Sequence, residues 1–394
     1  MKKIFIATYG GGHVNIIKSI LPELEDIDGT IEILALTIAS ASLKKDKIPH
    51  KTISDFLKYL PYKDKIIEYG KKAILGNHDD RSNIDIDDAI AYHGIGLYDL
   101  CLEYGEENGW QRFEEKGRKV FCPIKSMEII VRAISPDLLI IPTGVRFEKA
   151  LAKVANLNNI PVVYINDLPT VSGIDFDAKV CVMNDWAKEY AIKNTNINEN
   201  DIIVTGQPVM EKNLEIDKYI LSKYRDEIKK SFKNVVLFLG TPTLSIFPEV
   251  EETIKEIIKI SKKHRDVNFI IRPHPGNLDN YGLDSEENVW ITKEGELKYL
   301  LAVSDIVITQ VSTGGLEAIL LGKQVITVLN KTKPLFRLSD TGGAINIQNV
   351  NELEKTIFDC INEDSLVDKK KNNEHFNNKK NAAENIVNVI KGLI

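Results

Sequence analysis

Apolar residues fall into short continuous runs, and each run is followed by a segment with the 3.6-residue period of a helix. Lys3–Thr8 is the first run and stops at Gly10-Gly11-Gly12-His13. Ile16, Ile17, Ile20 and Leu24 then recur at helical spacing. Thr30–Thr37 predicts a second strand. Residues 40–120 are less regular. The pattern there predicts helices near Ile53–Leu60 and Ile84–Tyr104, then a charged stretch, Glu106–Lys119, all assigned to insertions or acceptor-side helices. Regularity returns with a helix over 123–134 and a turn at Ser135-Pro136-Asp137. The next strand, Leu138–Pro142, is apolar throughout, as expected in a parallel sheet covered on both faces. A helix over Phe147–Leu157, strands over Pro161–Ile165 and Ala178–Met183, a helix over Trp186–Asn194 and a strand over Asp201–Thr205 complete the series. It ends at Gly206-Gln207-Pro208.

Met210–Lys233 is charged and helical in pattern, and reads as a connection. A second series follows. Its strands are predicted at Val235–Leu239, Asn268–Arg272, Val289–Ile291, Asp305–Thr309 and Gln324–Leu329. Its helices are predicted at Glu249–His264, Glu294–Ala302, Gly314–Leu321 and Leu353–Asn362. Lys369–Lys380 is polar, and Ala382–Leu393 has an apolar helical stripe. Strand–helix alternation of this kind predicts an α/β fold with two Rossmann-like doubly wound domains and a cleft between them. The expected boundaries are 1–208, a connection over 209–233, a second domain over 234–380 and a C-terminal helix over 381–394.

Composition narrows the function. The 394 residues include 43 % apolar residues, enough for two cores. Lys and Arg number 51 against 57 Asp and Glu, a net charge of −6. That balance gives no general attraction to nucleic acid or anionic lipid, so an anionic ligand needs a local site. The four cysteines, Cys101, Cys122, Cys181 and Cys360, form no C-x-x-C pair and read as free thiols in a reducing compartment. No apolar run approaches the ~18–20 residues of a membrane span, and the N-terminal run is too short for a signal peptide. The expected location is the cytoplasm.

Candidate chemistry gathers at strand-to-helix turns. Gly10, Gly11 and Gly12 let backbone approach a ligand, and His13 is a candidate general base or charged-group contact. Arg272 and His274, in Ile271-Arg272-Pro273-His274-Pro275-Gly276, sit where a strand delivers them to its C-terminal end. Arg272 either forks onto phosphate or makes a structural salt bridge to the sheet edge. Gly240, Thr241 and Thr243 form another such turn. In Gln310-Val311-Ser312-Thr313-Gly314-Gly315-Leu316-Glu317, hydroxyls and bare amides open a helix and suit a phosphate, with Glu317 placed to accept from a ribose diol. Thr205-Gly206-Gln207-Pro208 reads as a hinge or a plain turn, and Asp167 is a second candidate base. His50, His78, His93, His264 and His375 are expected at the surface. No residue set has metal spacing.

Together these strings resemble the GT-B superfamily of nucleotide-sugar enzymes. The Gly10–His13 loop is similar to the glycine-histidine loop of several glycosyltransferases. Ser135–Ile141, Asn158–Val163 and Val204–Pro208 are similar to successive first-lobe segments. Arg272–Pro275 and Ser312–Ala318 with Gly322 resemble second-lobe motifs of capsule sugar transferases, glycerophosphate transferases and non-hydrolysing UDP-N-acetylglucosamine 2-epimerases. The epimerase Gly-Thr-Arg-Pro-Glu string is absent, and Glu317 stands alone where epimerases usually carry Gln-Glu-Glu. The resemblance therefore implies a metal-independent glycosyltransferase moving a sugar from a UDP- or CMP-sugar to a surface polysaccharide or glycoconjugate. The alternatives are a UDP-N-acetylglucosamine 2-epimerase and a non-catalytic nucleotide-sugar-binding subunit. In the transferase reading Ser312–Gly315 hold phosphate, Arg272 and His274 neutralise the leaving group, and His13 is the base. The expected partners are the nucleotide-sugar and a saccharide or lipid-linked acceptor, with no nucleic acid and no separate cofactor. Peripheral membrane association through the acceptor and a homodimer are compatible with this reading.

Overall fold

The computed structural model describes residues 1–75, 84–171, 174–229, 232–241, 247–274, 281–282, 285–332, 334, 336–362 and 376–394. The chain divides into two units, Met1–Val209 with Lys379–Ile394, and Met210–Asn378.

Among the described residues the first unit has seven strands: β1 (Lys2–Thr8), β2 (Gly29–Ala35), β3 (Lys51–Thr52), β4 (Leu138–Ile141), β5 (Val162–Ile165), β6 (Lys179–Val182) and β7 (Ile202–Val204). Their order is β3-β2-β1-β4-β5-β6-β7, and every pair is parallel. The chain therefore leaves β1 outward to one edge and returns to the other side of it, which places a topological switch point between β1 and β4. Helix α1 (Gly12–Leu24) buries Val14, Ile16, Ile17, Ile20 and Leu24 against Ile4, Ile6 and Ile140 of the sheet. The apolar stripe noted in the sequence sets this face.

The region with weak periodicity is helical: α2 (Ala39–Lys45), a 3-10 turn (Ile53–Tyr59), α3 (Lys63–Ile74), α4 (Ile86–Tyr104) and α5 (Glu106–Lys116). The charged stretch from Glu106 is thus a helix, one of the two readings the sequence left open. Of its residues only Gly109 is buried, so no apolar stripe announces it. α3 and α4 cross at two glycines. A Cβ on Gly70 would lie 2.0 Å from the Ile90 carbonyl oxygen, and one on Gly94 would lie 2.0 Å from that of Ile66. α6 (Ile124–Ile134), α7 (Arg146–Leu157) and α8 (Asp185–Asn194) complete the series.

The expected boundaries need two corrections. The C-terminal helix (Ala382–Lys391) does not stand beyond the second unit. Its Ile386, Val387 and Ile390 are buried in the first unit's core. Gly206, at φ 89°, allows the returning chain to pass, because a Cβ there would lie 2.2 Å from the Lys379 carbonyl oxygen. Asn385 Nδ2 donates to the Thr205 carbonyl at 2.9 Å, so this turn is a packing site. The expected connection is likewise two helices, α9 (Pro208–Leu214) and α10 (Lys218–Ile228), with 210 onward in the second unit.

Among the described residues the second unit has six parallel strands: β8 (Asn234–Leu239), β9 (Val267–Arg272), β10 (Val289–Ile291), β11 (Ile306–Thr309), β12 (Gln324–Val328) and β13 (Ala344–Ile347). Their order, β10-β9-β8-β11-β12-β13, repeats the first unit's winding and puts a second switch point between β8 and β11. The helices are α11 (Glu249–Lys263), α12 (Leu297–Val303), α13 (Thr313–Leu320) and α14 (Leu353–Asn362). Phe238, Phe269, Ile254, Ile257 and Ile308 are among its buried core.

Candidate functional site

In open parallel sheets ligands sit beyond the carboxyl ends of the strands that flank the switch point. In the second unit those ends carry Gly240 and Thr241 after β8, and Gln310 to Gly315 after β11. Ser312 is the N-cap of α13, and its Oγ accepts the Gly314 N–H at 3.2 Å. Gly314 and Gly315 are buried by packing. A Cβ on Gly314 would lie 2.8 Å from Leu239 Cδ1, and one on Gly315 2.5 Å from Leu338 Cδ1. Their lack of side chains thus seats the helix on the sheet, whereas Thr313 is exposed at the helix start. Gln310 is fully buried. Its Nε2 donates to Thr253 Oγ1 at 3.2 Å, while its Oε1 has no hydrogen-bond partner among the described residues. At Gly240 the missing side chain admits Tyr281, whose hydroxyl oxygen would lie 2.0 Å from a Cβ there.

Glu317 is 7 % exposed, and burial pushes its carboxyl up to about 7, moderated by a hydrogen bond with Asn213 of α9. It is therefore poised between acid and carboxylate at neutral pH. Arg272 closes β9, but its fork is engaged: Nη1 donates to the Glu294 carbonyl at 2.7 Å and Nη2 to that of Gly295 at 3.0 Å. The fork therefore serves the sheet edge through backbone carbonyls rather than the expected salt bridge, and it leaves the charge rather than the fork for a ligand. Burial lowers the His274 imidazole below its ordinary value, which favours the neutral ring. Thr243, Pro275 and Gly276 lie outside the described residues.

The first unit's switch point carries the Gly10–His13 loop after β1. Gly11 has φ 74°, open to glycine, and a Cβ on Gly11 or Gly12 would meet nothing within 4 Å. His13 Nε2 lies 3.1 Å from Asp167 Oδ2, on the loop after β5. The two candidate bases are thus one hydrogen-bonded pair, with side chains 26 % and 30 % exposed. Sequence reading missed what lies beneath. Glu148 of α7 is fully buried and accepts the Tyr9 N–H at 3.0 Å and the Thr143 N–H at 2.9 Å. It ties the loop after β1 to the loop after β4. Burial raises its carboxyl well above the usual range, and Arg146 opposes the shift. The Tyr9 hydroxyl in turn meets that of Tyr92 at 3.0 Å.

His50, His93 and His264 are not simple surface residues. His50 bonds Ser40 Oγ at 2.9 Å, His93 bonds the Ala89 carbonyl at 2.9 Å, and His264 bonds Glu354 at 3.0 Å. All three are half-buried. His78 and His375 lie outside the described residues. All four cysteines are free. Among the described residues no cluster of His, Cys, Asp and Glu could hold a metal, and no helix is long and apolar enough to cross a membrane.

Comparison with known proteins places these sites in context. The sequence model of the UDP-N-acetylglucosamine 2-epimerase family matches residues 178–391. A search of curated protein sequences finds no match. Among solved structures, S. aureus MnaA in its co-structure with UDP aligns at 15 % identity and TM-score 0.61, over 100 % of this chain and 98 % of that one. Neisseria meningitidis UDP-GlcNAc 2-epimerase bound to UDP-GlcNAc aligns at 14 % and 0.57, over 99 % of both. Acinetobacter baumannii MurG aligns at 15 % and 0.55, over 100 % of both. At such identities the likeness is one of fold, shared by epimerases and glycosyltransferases of the GT-B type.

Proposed function

The chain belongs to the UDP-N-acetylglucosamine 2-epimerase family, and from that premise we propose that it inverts C2 of a UDP-linked N-acetylhexosamine. The family match carries this reading, because it spans the whole of the second unit. It displaces the glycosyltransferase preferred on the lone Glu317, which now stands as the second reading. That reading is supported by the fold shared with A. baumannii MurG and with the glycosyltransferase SnogD of Streptomyces nogalater.

Inversion at C2 requires the C2–H bond to break and re-form on the opposite face. No carbonyl adjoins C2 to acidify that proton. The proton is therefore removed as UDP leaves C1, giving a 1,2-unsaturated sugar, and UDP returns to C1 as a proton is delivered to the other face of C2. Charge grows on the departing diphosphate, so groups aimed there lower the barrier. We assign that role to Ser312, Thr313, Thr241 and the charge of Arg272, with His274 as a neutral donor. Glu317 holds the ribose diol. The His13–Asp167 pair handles the proton, the carboxylate fixing the imidazole's orientation. No further cofactor enters this scheme.

The test is incubation with UDP-N-acetylglucosamine and no acceptor in deuterated water. The expected result is a second UDP-sugar carrying deuterium at C2. Unchanged substrate without acceptor, with transfer once an oligosaccharide acceptor is added, would return the assignment to a glycosyltransferase.

A further inference from the structure

The first unit's switch point has a second arm that no motif announced. α7 begins at Arg146, after the four-residue loop that follows β4, and the Arg146 φ of 52° is a left-handed conformation that costs a non-glycine residue about 1–2 kcal/mol. Its guanidinium carbon sits 4.5 Å from the centre of the Tyr9 ring. Tyr9 is fixed from three sides: its N–H donates to Glu148, its hydroxyl meets Tyr92, and that hydroxyl also accepts the Phe147 N–H at 3.3 Å. The ring is therefore a rigid platform for the cation. The Arg146 Nε is buried and has no hydrogen-bond partner among the described residues.

We propose that Arg146 binds an oxyanion of the ligand, a carboxylate or a phosphate, at the β1/β4 switch point of the first unit.

The competing explanation is that Arg146 merely neutralises Glu148. Arg146 does favour the Glu148 carboxylate through space, but that interaction uses none of the guanidinium's hydrogen-bond donors. Each Glu148 oxygen accepts a backbone N–H, from Tyr9 and from Thr143, and neither is bonded to the guanidinium. Asp167, the other acid of this switch point, is engaged by His13. A guanidinium has five donors in a planar fork that matches carboxylate or phosphate oxygens. Here that fork is held by a strained backbone and a fixed ring, beside the loop whose Gly11 and Gly12 leave space. Residues held in sparsely populated conformations cluster where a ligand is bound.

The test follows the Nε–H resonance of Arg146 in the 15N-labelled full chain, identified by its loss in Arg146→Lys. Four probes are titrated: inorganic phosphate, glucuronate, UDP-N-acetylglucosamine, and the same UDP-sugar with C6 oxidised to a carboxylate. The expected result is a saturable shift with at least one. Affinity for that probe should fall about tenfold to a hundredfold in Arg146→Lys, the loss of a charge-assisted bidentate pair. Arg146→Gly, which suits the left-handed backbone, should fold and lose the same affinity. A loss confined to glucuronate and the oxidised sugar assigns a sugar carboxylate. A loss shared with phosphate and the parent UDP-sugar assigns a phosphate. No shift with any probe, or unaltered affinities in both variants, overturns the proposal. Only two probes depend on the nucleotide-sugar reading. Phosphate and glucuronate address Arg146 even if the protein proves to be no epimerase.

Discussion

Glu317 and His13 show how a single residue's environment sets its chemistry. A buried carboxyl at about 7 favours the protonated form at acidic pH. Ribose hydroxyls would donate to the carboxylate, so binding should favour the ionised form. Affinity for UDP-N-acetylglucosamine should then rise about tenfold between pH 6 and pH 8, and the Glu317→Gln variant should lack that slope. Calorimetry at the two pH values decides it. Stability moves the other way. The raised native value means the folded chain holds its proton longer than the unfolded one. The group's contribution is thus fully present below its unfolded value near 4.5 and is lost as pH rises to about 7. Glu317→Gln should therefore gain on the wild type above pH 7, with a ceiling of about 3 kcal/mol. For His13, substitution by alanine should lower turnover by about 10²–10⁴ and leave nucleotide affinity unchanged, since the pair is assigned to the proton at C2 and not to the diphosphate. Equal turnover in the variant would remove the His13–Asp167 pair from the chemistry.

At the scale of elements, the sequence is readable where one physical rule acts alone. β4 and β11 are buried on both faces, and their unbroken apolar runs show it. The turns after β1, β8 and β11 are legible because glycines and hydroxyl residues interrupt those runs. α5 is not legible, because it buries only Gly109. α3 does carry a stripe, Ile66, Tyr69, Gly70, Ala73 and Ile74, but it is short and set among charges, and the helix is not among those predicted from the sequence. Arg146 and Glu148 are hidden for a different reason. In sequence they are ordinary charges at a helix start, and they gain meaning only when β4 pairs with β1 and brings Tyr9 alongside. Glycines separate the two kinds of constraint experimentally. Gly94→Ala drives a Cβ against the Ile66 carbonyl oxygen, a backbone atom that cannot swing aside. It should cost at least about 1–3 kcal/mol by chemical denaturation. Gly12→Ala has open space and an unremarkable φ. It should leave stability unchanged or slightly higher, and any loss of activity in it would mark the loop as a ligand surface.

Across the whole molecule, chain order and structural unit disagree at the C-terminus, and the disagreement has a measurable consequence. The second unit ends at Asn378, yet the last residues complete the core of the first. Ile386, Val387 and Ile390 are each at most 2 % exposed and pack with Ile16, Ile17 and Ile20 of α1. Burial of an aliphatic side chain contributes roughly 1.5–3 kcal/mol. Deleting all three therefore removes about as much as the whole 5–15 kcal/mol stability of an ordinary domain. A chain truncated after Asn378 should lose the cooperative unfolding of its first unit. Its second unit keeps its six-stranded sheet and core intact. Such a chain should show one thermal transition, and UDP should still raise that transition's midpoint, because only the native second unit would bind it. Calorimetry with and without UDP separates the outcomes. Two retained transitions would mean the C-terminal helix is dispensable to the first core. A single transition insensitive to UDP would mean the nucleotide groups assigned to α13 and β8 do not form a binding site by themselves.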